Sequence, residues 1–235
     1  MKCILLTAGY GTRLYPLTKD VPKCLLEYKG KTILECLLEN MDKNIEKIIV
    51  TNDHFFKQFN DFYLKNKEKY NITKVYNDGT KTPEERLGAV GDLIATLKKE
   101  DDDDFLVAGT DNILDFSLDE FINNFNKNPR NLVMTHFEFR SERLKKTGVA
   151  RIDTNGKIYY FEEKPTNPPS VQAIPPFYIF TKETVKMLKE HDYKLDSLGE
   201  LIELIYNDVD IYAMAMPGKR ITFNTLDEYK KLAND

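Results

Sequence analysis

Three cysteines, Cys3, Cys24 and Cys36, are all that the 235-residue chain holds, and their odd number and spacing suit neither a disulfide framework nor a zinc site. They read as reduced thiols in a cytoplasmic protein. A basic excess is lacking too. Against 38 aspartates and glutamates stand 34 lysines and arginines, so a sequence-independent grip on nucleic-acid phosphates is not expected. A nucleotide needs only a local cluster of cations, and stays open. No apolar stretch approaches the roughly 18 residues of a membrane span. The apolar start KCILL reaches Gly9 too soon for a signal-peptide core of about 7 to 15 residues, and no small-residue cleavage site follows. Neither a secreted nor a membrane protein is therefore expected. His54, His136 and His191 share no motif, and no serine elbow or cysteine with a paired base is identifiable.

What is present suffices for one well-buried core. At 41% hydrophobic and 31% charged residues, the chain fits a single globular domain over residues 1–235. Short apolar runs alternate with helical patterns: KCILLT then TILECLLENM, EKIIVTN then FFKQFNDFYLKN, TKVYN then PEERLGAVGDLIATLKKE, FLVAGT then SLDEFINNF. Four such units in succession argue for a parallel sheet covered by helices. Thr82-Pro83-Glu84-Glu85 offers an N-cap with proline at the first helical position, and Ser117 to Glu120 has capping-box spacing. NLVMTHFEF, VARID, KIYYFEE and FYIF then read as strands without long helices between them, with a hairpin turn at Thr154-Asn155-Gly156. The fold class expected is α/β: a Rossmann-like, mixed and mainly parallel sheet flanked by helices, gaining antiparallel strands in its second half.

Residues 6–23, LTAGYGTRLYPLTKDVPK, lie between the first strand and the first helix, where an open parallel sheet presents its carboxyl edge to ligands. Backbone N–H groups there favour anions. A dinucleotide fingerprint needs a third glycine where Leu14 stands, and a Walker loop needs a Gly-Lys-Ser/Thr that is absent. Asp111 follows the buried run FLVAGT, so its carboxylate would emerge at that same edge. The DDDD run at 101–104 precedes the run and reads as a solvated loop.

The loop is part of a longer pattern. LTAGYGTRLYPLTKDVPKCLLEYKGKTILE resembles the signature of the sugar-1-phosphate nucleotidyltransferases, most closely the glucose-1-phosphate thymidylyltransferase and uridylyltransferase branch. The resemblance continues through NDGTKTPEERLGAVGDL, LVAGTDNILDFSL, TGVARIDTNGKIYYFEEKP and GKRITFNTLDEYKKLAN. It implies a nucleoside triphosphate and a sugar-1-phosphate as substrates, Mg²⁺ as cofactor, and release of pyrophosphate. It implies no nucleic-acid or membrane partner, and leaves room for a homo-oligomer.

By this resemblance Arg13 holds the β- and γ-phosphates and Lys23 bridges toward the reacting centre. Backbone at Leu6, Ala8, Gly9, Gly11 and Thr12 lies along the nucleotide. Gly88 stands against the base, Asn77 is a weaker candidate to hydrogen-bond that base, and Asp111 binds the metal. Glu163 and Lys164 meet the hydroxyls and phosphate of the acceptor, near Gly148. The chain departs from the family pattern in places. Thr147 stands where a tyrosine is usual, and Ile174-Pro175-Pro176 where a glycine-containing strand start is usual. Thr222 replaces the second metal aspartate, with Asn224 two residues on. Two other functions are compatible with these departures: a cytidylyltransferase acting on a small phosphate such as phosphocholine, and a non-enzymatic regulator that binds a nucleotide sugar.

Overall fold

The computed structural model describes residues 1–234. In chain order they begin with β1 (Lys2–Leu6), β2 (Glu27–Tyr28), β3 (Lys31–Thr32), α1 (Ile33–Leu38), β4 (Glu46–Thr51), α2 (Phe56–Tyr70), β5 (Ile72–Asn77) and α3 (Gly88–Leu97). There follow β6 (Phe105–Gly109), β7 (Ile113–Leu114), α4 (Asp119–Lys127), β8 (Asn131–Phe137), α5 (Ser141–Leu144), β9 (Gly148–Ile152) and β10 (Ile158–Glu163). The rest forms β11 (Gln172–Ile174), β12 (Phe177–Phe180), α6 (Lys182–Lys189), α7 (Leu198–Ile205), β13 (Ile211–Ala215), β14 (Arg220–Ile221) and α8 (Leu226–Asn234). Packing divides the chain into two units, one of residues 2–87, 109–119 and 218 onward, the other of residue 1, 88–108 and 120–217.

In the first unit β1, β4 and β5 run parallel, with Ile4 opposite Ile48 and Ile49 opposite Val75. The apolar runs of β1 and β4 are buried along nearly their whole length, as strands covered on both faces require. Thr32 starts α1 with a reciprocal capping box to Glu35, and Asn71, at φ 52°, ends α2 in the left-handed conformation. The antiparallel pair β7–β14 sets Ile221 opposite Ile113, so a segment a hundred residues downstream is pinned beside the loop that follows β6. Leu14, Leu26, Ile33, Ile113 and Phe223 form one buried cluster. That cluster ties the glycine loop, α1, β7 and the C-terminal segment together.

The second unit is a sheet in the order β10-β9-β11-β8-β12-β6, antiparallel at each of these pairings, with β13 parallel to β8. The hairpin expected at 154–156 joins β9 to β10. Asp153 Oδ1 accepts from the N–H groups of Asn155 and Lys157, and Gly156 supplies the positive φ of 85°. The aspartate run at 101–104 pairs with cations and backbone: Asp102 with Lys189 at 2.6 Å, and Asp104 with the Lys182 N–H at 2.8 Å.

One expected boundary is corrected. The chain at 82–85 closes a single turn, Glu85 N–H donating to the Thr82 carbonyl at 3.1 Å, and α3 starts only at Gly88. Gly88 has φ 78°, a left-handed residue that cannot lie inside a right-handed helix, so the turn and the helix are separate. Among the described residues no helix is long and apolar enough to cross a membrane.

Candidate active site

The glycine loop leaves β1 under tight backbone control. Thr7 donates twice to the Val50 carbonyl, through its N–H at 2.9 Å and its hydroxyl at 2.7 Å, and Asn52 Nδ2 donates to the Ala8 carbonyl at 2.8 Å. Tyr10 turns inward, its hydroxyl 3.1 Å from Thr80 Oγ1. Gly11, at φ 64°, precedes a short 3-10 turn, Thr12–Leu14, and its carbonyl accepts the Thr18 hydroxyl at 2.7 Å. Arg13 on that turn is exposed and makes no ion pair among the described residues.

The two loop glycines differ in what a side chain would meet. A Cβ on Gly11 would press on Thr18 at 3.1 Å and would sit at a positive φ, whereas a Cβ on Gly9 would meet nothing within 4 Å. Gly9 is exposed, so only something outside the chain could need its missing side chain. If the resemblance is followed and a nucleoside triphosphate lies against this loop, Gly9→Ala is expected to keep the wild-type melting temperature and to weaken its binding roughly tenfold, while Gly11→Ala loses about 1–3 kcal/mol of stability. Calorimetric titration beside thermal melts checks both.

Three distant segments meet beside this loop. Lys23, in the short turn Lys23–Leu25, places Nζ 2.6 Å from Asp111 Oδ2, just past the end of β6, and 4.6 Å from the Phe223 ring centre. The Thr222 hydroxyl donates to the Asp111 backbone carbonyl at 3.3 Å. Thr222, which the resemblance sets in place of a second metal aspartate, thus lies against the Asp111 backbone and offers a neutral oxygen. Asp111 is 40% exposed and Lys23 14%. Burial works against the charge on Asp111, but the Lys23 ammonium and then Arg220 more than offset it and hold the carboxyl below its ordinary value.

Two further residues join here that the sequence reading had not singled out. Arg220 Nη1 donates to Asn112 Oδ1 at 2.7 Å, and Asn112 Nδ2 donates to Asp111 Oδ1 at 3.1 Å. The neighbouring Cys24 thiol is pushed up to about 12 by burial, so it is inert as a nucleophile. The described residues contain no group of three acidic, histidine or cysteine side chains suited to a metal. The single Asp111 carboxylate does fit Mg²⁺ shared with a bound phosphate, which needs only one or two carboxylates from the protein.

The acceptor-side candidates lie in the second unit. Glu163 ends β10 with a side chain only 8% exposed. Its Oε1 accepts the Ser197 hydroxyl at 3.0 Å and stands 3.4 Å from Lys164 Nζ. Burial raises the Glu163 carboxyl pKa, with Lys164 and Ser197 pulling the other way. Lys164 itself has φ 50°, uncommon for a residue with a Cβ, and donates its N–H to the Thr147 carbonyl at 3.1 Å. Thr147 in turn donates its hydroxyl to the Ile174 carbonyl at 3.3 Å, ahead of the proline pair.

Two base-side candidates already have structural duties. In the first unit both ends of the Asn77 amide are occupied, Nδ2 by Asp53 at 2.8 Å and Oδ1 by the Gly79 N–H at 2.8 Å. In the second, a Cβ on Gly88 would collide with the Leu195 carbonyl oxygen and reach the Asp196 Cα at 3.0 Å.

Comparison with known proteins identifies the family and the fold. The family profile described as nucleotidyl transferase matches residues 2–219. The bifunctional protein GlmU of Methanococcus aeolicus is 30% identical over 211 residues, which cover 86% of this chain and 47% of that protein. The UTP–glucose-1-phosphate uridylyltransferase AglF of Haloferax volcanii is 29% identical over 188 residues, 77% of this chain and 72% of that protein. A solved UDP-glucose pyrophosphorylase in complex with UDP-glucose superposes with a TM-score of 0.81 at 22% identity, over 99% of this chain and 97% of that one, and so shares its fold. The chain spans about half the length of several curated relatives that it matches.

Proposed function

The chain belongs to the nucleotidyl transferase family, and from that premise we propose that it is a sugar-1-phosphate nucleotidyltransferase, one domain working in the cytoplasm. The observation that carries the reading is the meeting of Lys23, Asp111 and Thr222 from three distant segments, packed through Phe223 and Leu14 onto the glycine loop. An ammonium and a carboxylate brought together beside a glycine loop suit a polyphosphate and its counter-ion.

The chemistry asks for alignment and charge neutralisation rather than a covalent intermediate. An oxygen of the acceptor's phosphate attacks the α-phosphorus of the nucleoside triphosphate. The new P–O bond forms as the bond to the bridging oxygen breaks, and pyrophosphate leaves with that electron pair. Arg13, exposed and without an ion pair among the described residues, holds the departing β- and γ-phosphates. Lys23 offsets charge at the reacting centre, released from Asp111 to the incoming phosphate. The glycine loop, from Leu6 and Ala8 through Gly9, Gly11 and Thr12, accepts the nucleotide against its backbone. Bound with the triphosphate, Mg²⁺ would be held by Asp111 and would neutralise further phosphate charge. Glu163, Lys164 and Gly148 take the acceptor, Lys164 meeting its phosphate.

Pyrophosphate release tests the reading, with five nucleoside triphosphates crossed against hexose-1-phosphates and phosphocholine. The expected result is release with at least one pairing that includes a hexose-1-phosphate, abolished by a chelator and restored by Mg²⁺. Release with CTP and phosphocholine alone would move the chain to small-phosphate transfer. Nucleotide binding with no release anywhere would favour a regulatory protein, the reading that Thr222 at the second aspartate position supports.

A further inference from the structure

Glycine at position 199 lacks a backbone reason. It lies in the first turn of α7 and has no positive φ, and a glycine in a helix is destabilising relative to alanine. A Cβ there would run into one neighbour. The three nearest atoms are Cδ, Oε1 and Oε2 of Glu163, with Oε1 at 3.0 Å and the other two closer. A Cβ on Gly148 would collide first with the Phe161 ring and would stand 3.0 Å from the same Oε2. Gly199 therefore leaves space that the carboxylate alone fills, and Gly148 leaves space that the carboxylate shares with the Phe161 ring.

The other half of the arrangement is Ser197. Its hydroxyl oxygen stands 3.0 Å from Glu163 Oε1 and 3.1 Å from Glu200 Oε2, and it has one proton to donate. Glu200 Oε2 is held in the helix cap by the Ser197 backbone N–H at 2.7 Å, without need of the hydroxyl, whose shorter contact is to Glu163 Oε1. One carboxylate oxygen is thereby fixed. The other, Oε2, is buried and accepts no hydrogen bond from the described residues, a costly condition for an acceptor unless a ligand donor reaches it.

We infer that Ser197 and Gly199 are positioning residues, which mould the Glu163 carboxylate so that Oε1 is held and Oε2 is left for a hydroxyl group of the acceptor. The inference rests on the acceptor reading of Glu163 given above. Neither residue need touch the substrate.

The test is a double-mutant cycle with two readouts: melting temperature, and the KM of each substrate. Gly199→Ala is made in the wild type and in Glu163→Ala. It is expected to lower the melting temperature by roughly 5 °C in the wild type and to leave it unchanged or raised in Glu163→Ala, where the carboxylate is gone. In the wild-type background, Gly199→Ala and Ser197→Ala are each expected to raise KM for the acceptor about tenfold and to leave KM for the triphosphate within about twofold. Equal melting shifts in the two backgrounds overturn the moulding. Coupled melting with both KM values altered alike, or neither altered, overturns the positioning role. If Gly199→Ala folds only together with Glu163→Ala, that rescue is the coupling; if it folds in neither background, Ser197→Ala decides by its KM split. The melting cycle needs no turnover, so it reads the mould even if the transferase assignment fails.

Discussion

Lys23→Met is expected to lower kcat/KM about a thousandfold, close to 4 kcal/mol of transition-state stabilisation at about 1.36 kcal/mol per tenfold, in a protein that still folds. Folding survives because methionine keeps an apolar stem against Phe223, where the Lys23 side chain already lies. Turnover does not survive, because the ammonium 2.6 Å from Asp111 is the group best placed to meet an incoming phosphate there. Lys23→Arg, which keeps the charge, is the control, and is expected to recover part of the rate. A Lys23→Met protein with wild-type kcat/KM would remove Lys23 from the chemistry.

The same variant has a pH signature whose sign follows from the ion pair. In the folded wild type the Asp111 carboxyl lies below its ordinary value, and in the unfolded chain it returns to about 3.9. A depressed folded value contributes stability above the unfolded pKa, and that contribution is lost as pH falls through the folded value. The stability gap between wild type and Lys23→Met should therefore be open at neutral pH and close below about pH 4. With Asp111 40% exposed, solvent screening keeps the gap near or below about 1 kcal/mol. Urea melts at pH 7 and pH 3 read it. Activity and stability thus move by very different amounts, which separates a catalytic role for Lys23 from a structural one.

The parts of the molecule legible in the sequence are those whose physics is local. Strands such as β1, β4 and β6 stand out because covered strands are continuous apolar runs, and Asp111 could be placed at a strand end from its distance past one such run. The turn at 82–85 has the sequence of a helix start because Pro83 and the two glutamates that follow satisfy helix-capping rules, while the veto comes from the left-handed backbone of Gly88. Asn112 and Arg220 were invisible as a pair, since 108 residues separate them and only the β7–β14 pairing brings them together. Ser197 and Gly199 were hidden for a related reason. Within DSLGELIELI they look like an ordinary helix start, and the carboxylate that gives them meaning lies on another element.

Gly88 is where the sequence reading and the structure give competing reasons for one residue, and Gly88→Ala distinguishes them. The resemblance sets this glycine against the nucleobase, which implies that a Cβ would disturb binding and leave folding alone. The structure supplies an internal reason. Its φ of 78° disfavours any residue with a Cβ, and that Cβ would strike the Leu195 carbonyl oxygen. The same approach is fixed by two hydrogen bonds, Ala89 N–H to the Asp196 carbonyl at 3.1 Å and Val90 N–H to the Leu195 carbonyl at 3.3 Å, so the backbone cannot simply withdraw. A left-handed residue costs about 1–2 kcal/mol and overpacking about 1–3 kcal/mol more, together some 2–5 kcal/mol. That is a large share of a typical 5–15 kcal/mol of stability and corresponds to a fall in melting temperature of roughly 5–20 °C. The outcome expected is a strongly destabilised protein whose folded fraction, measured at low temperature, keeps its preference among triphosphates. An unchanged melting temperature with altered base preference would reverse the assignment, because the base would then be the only neighbour that feels the added methyl group.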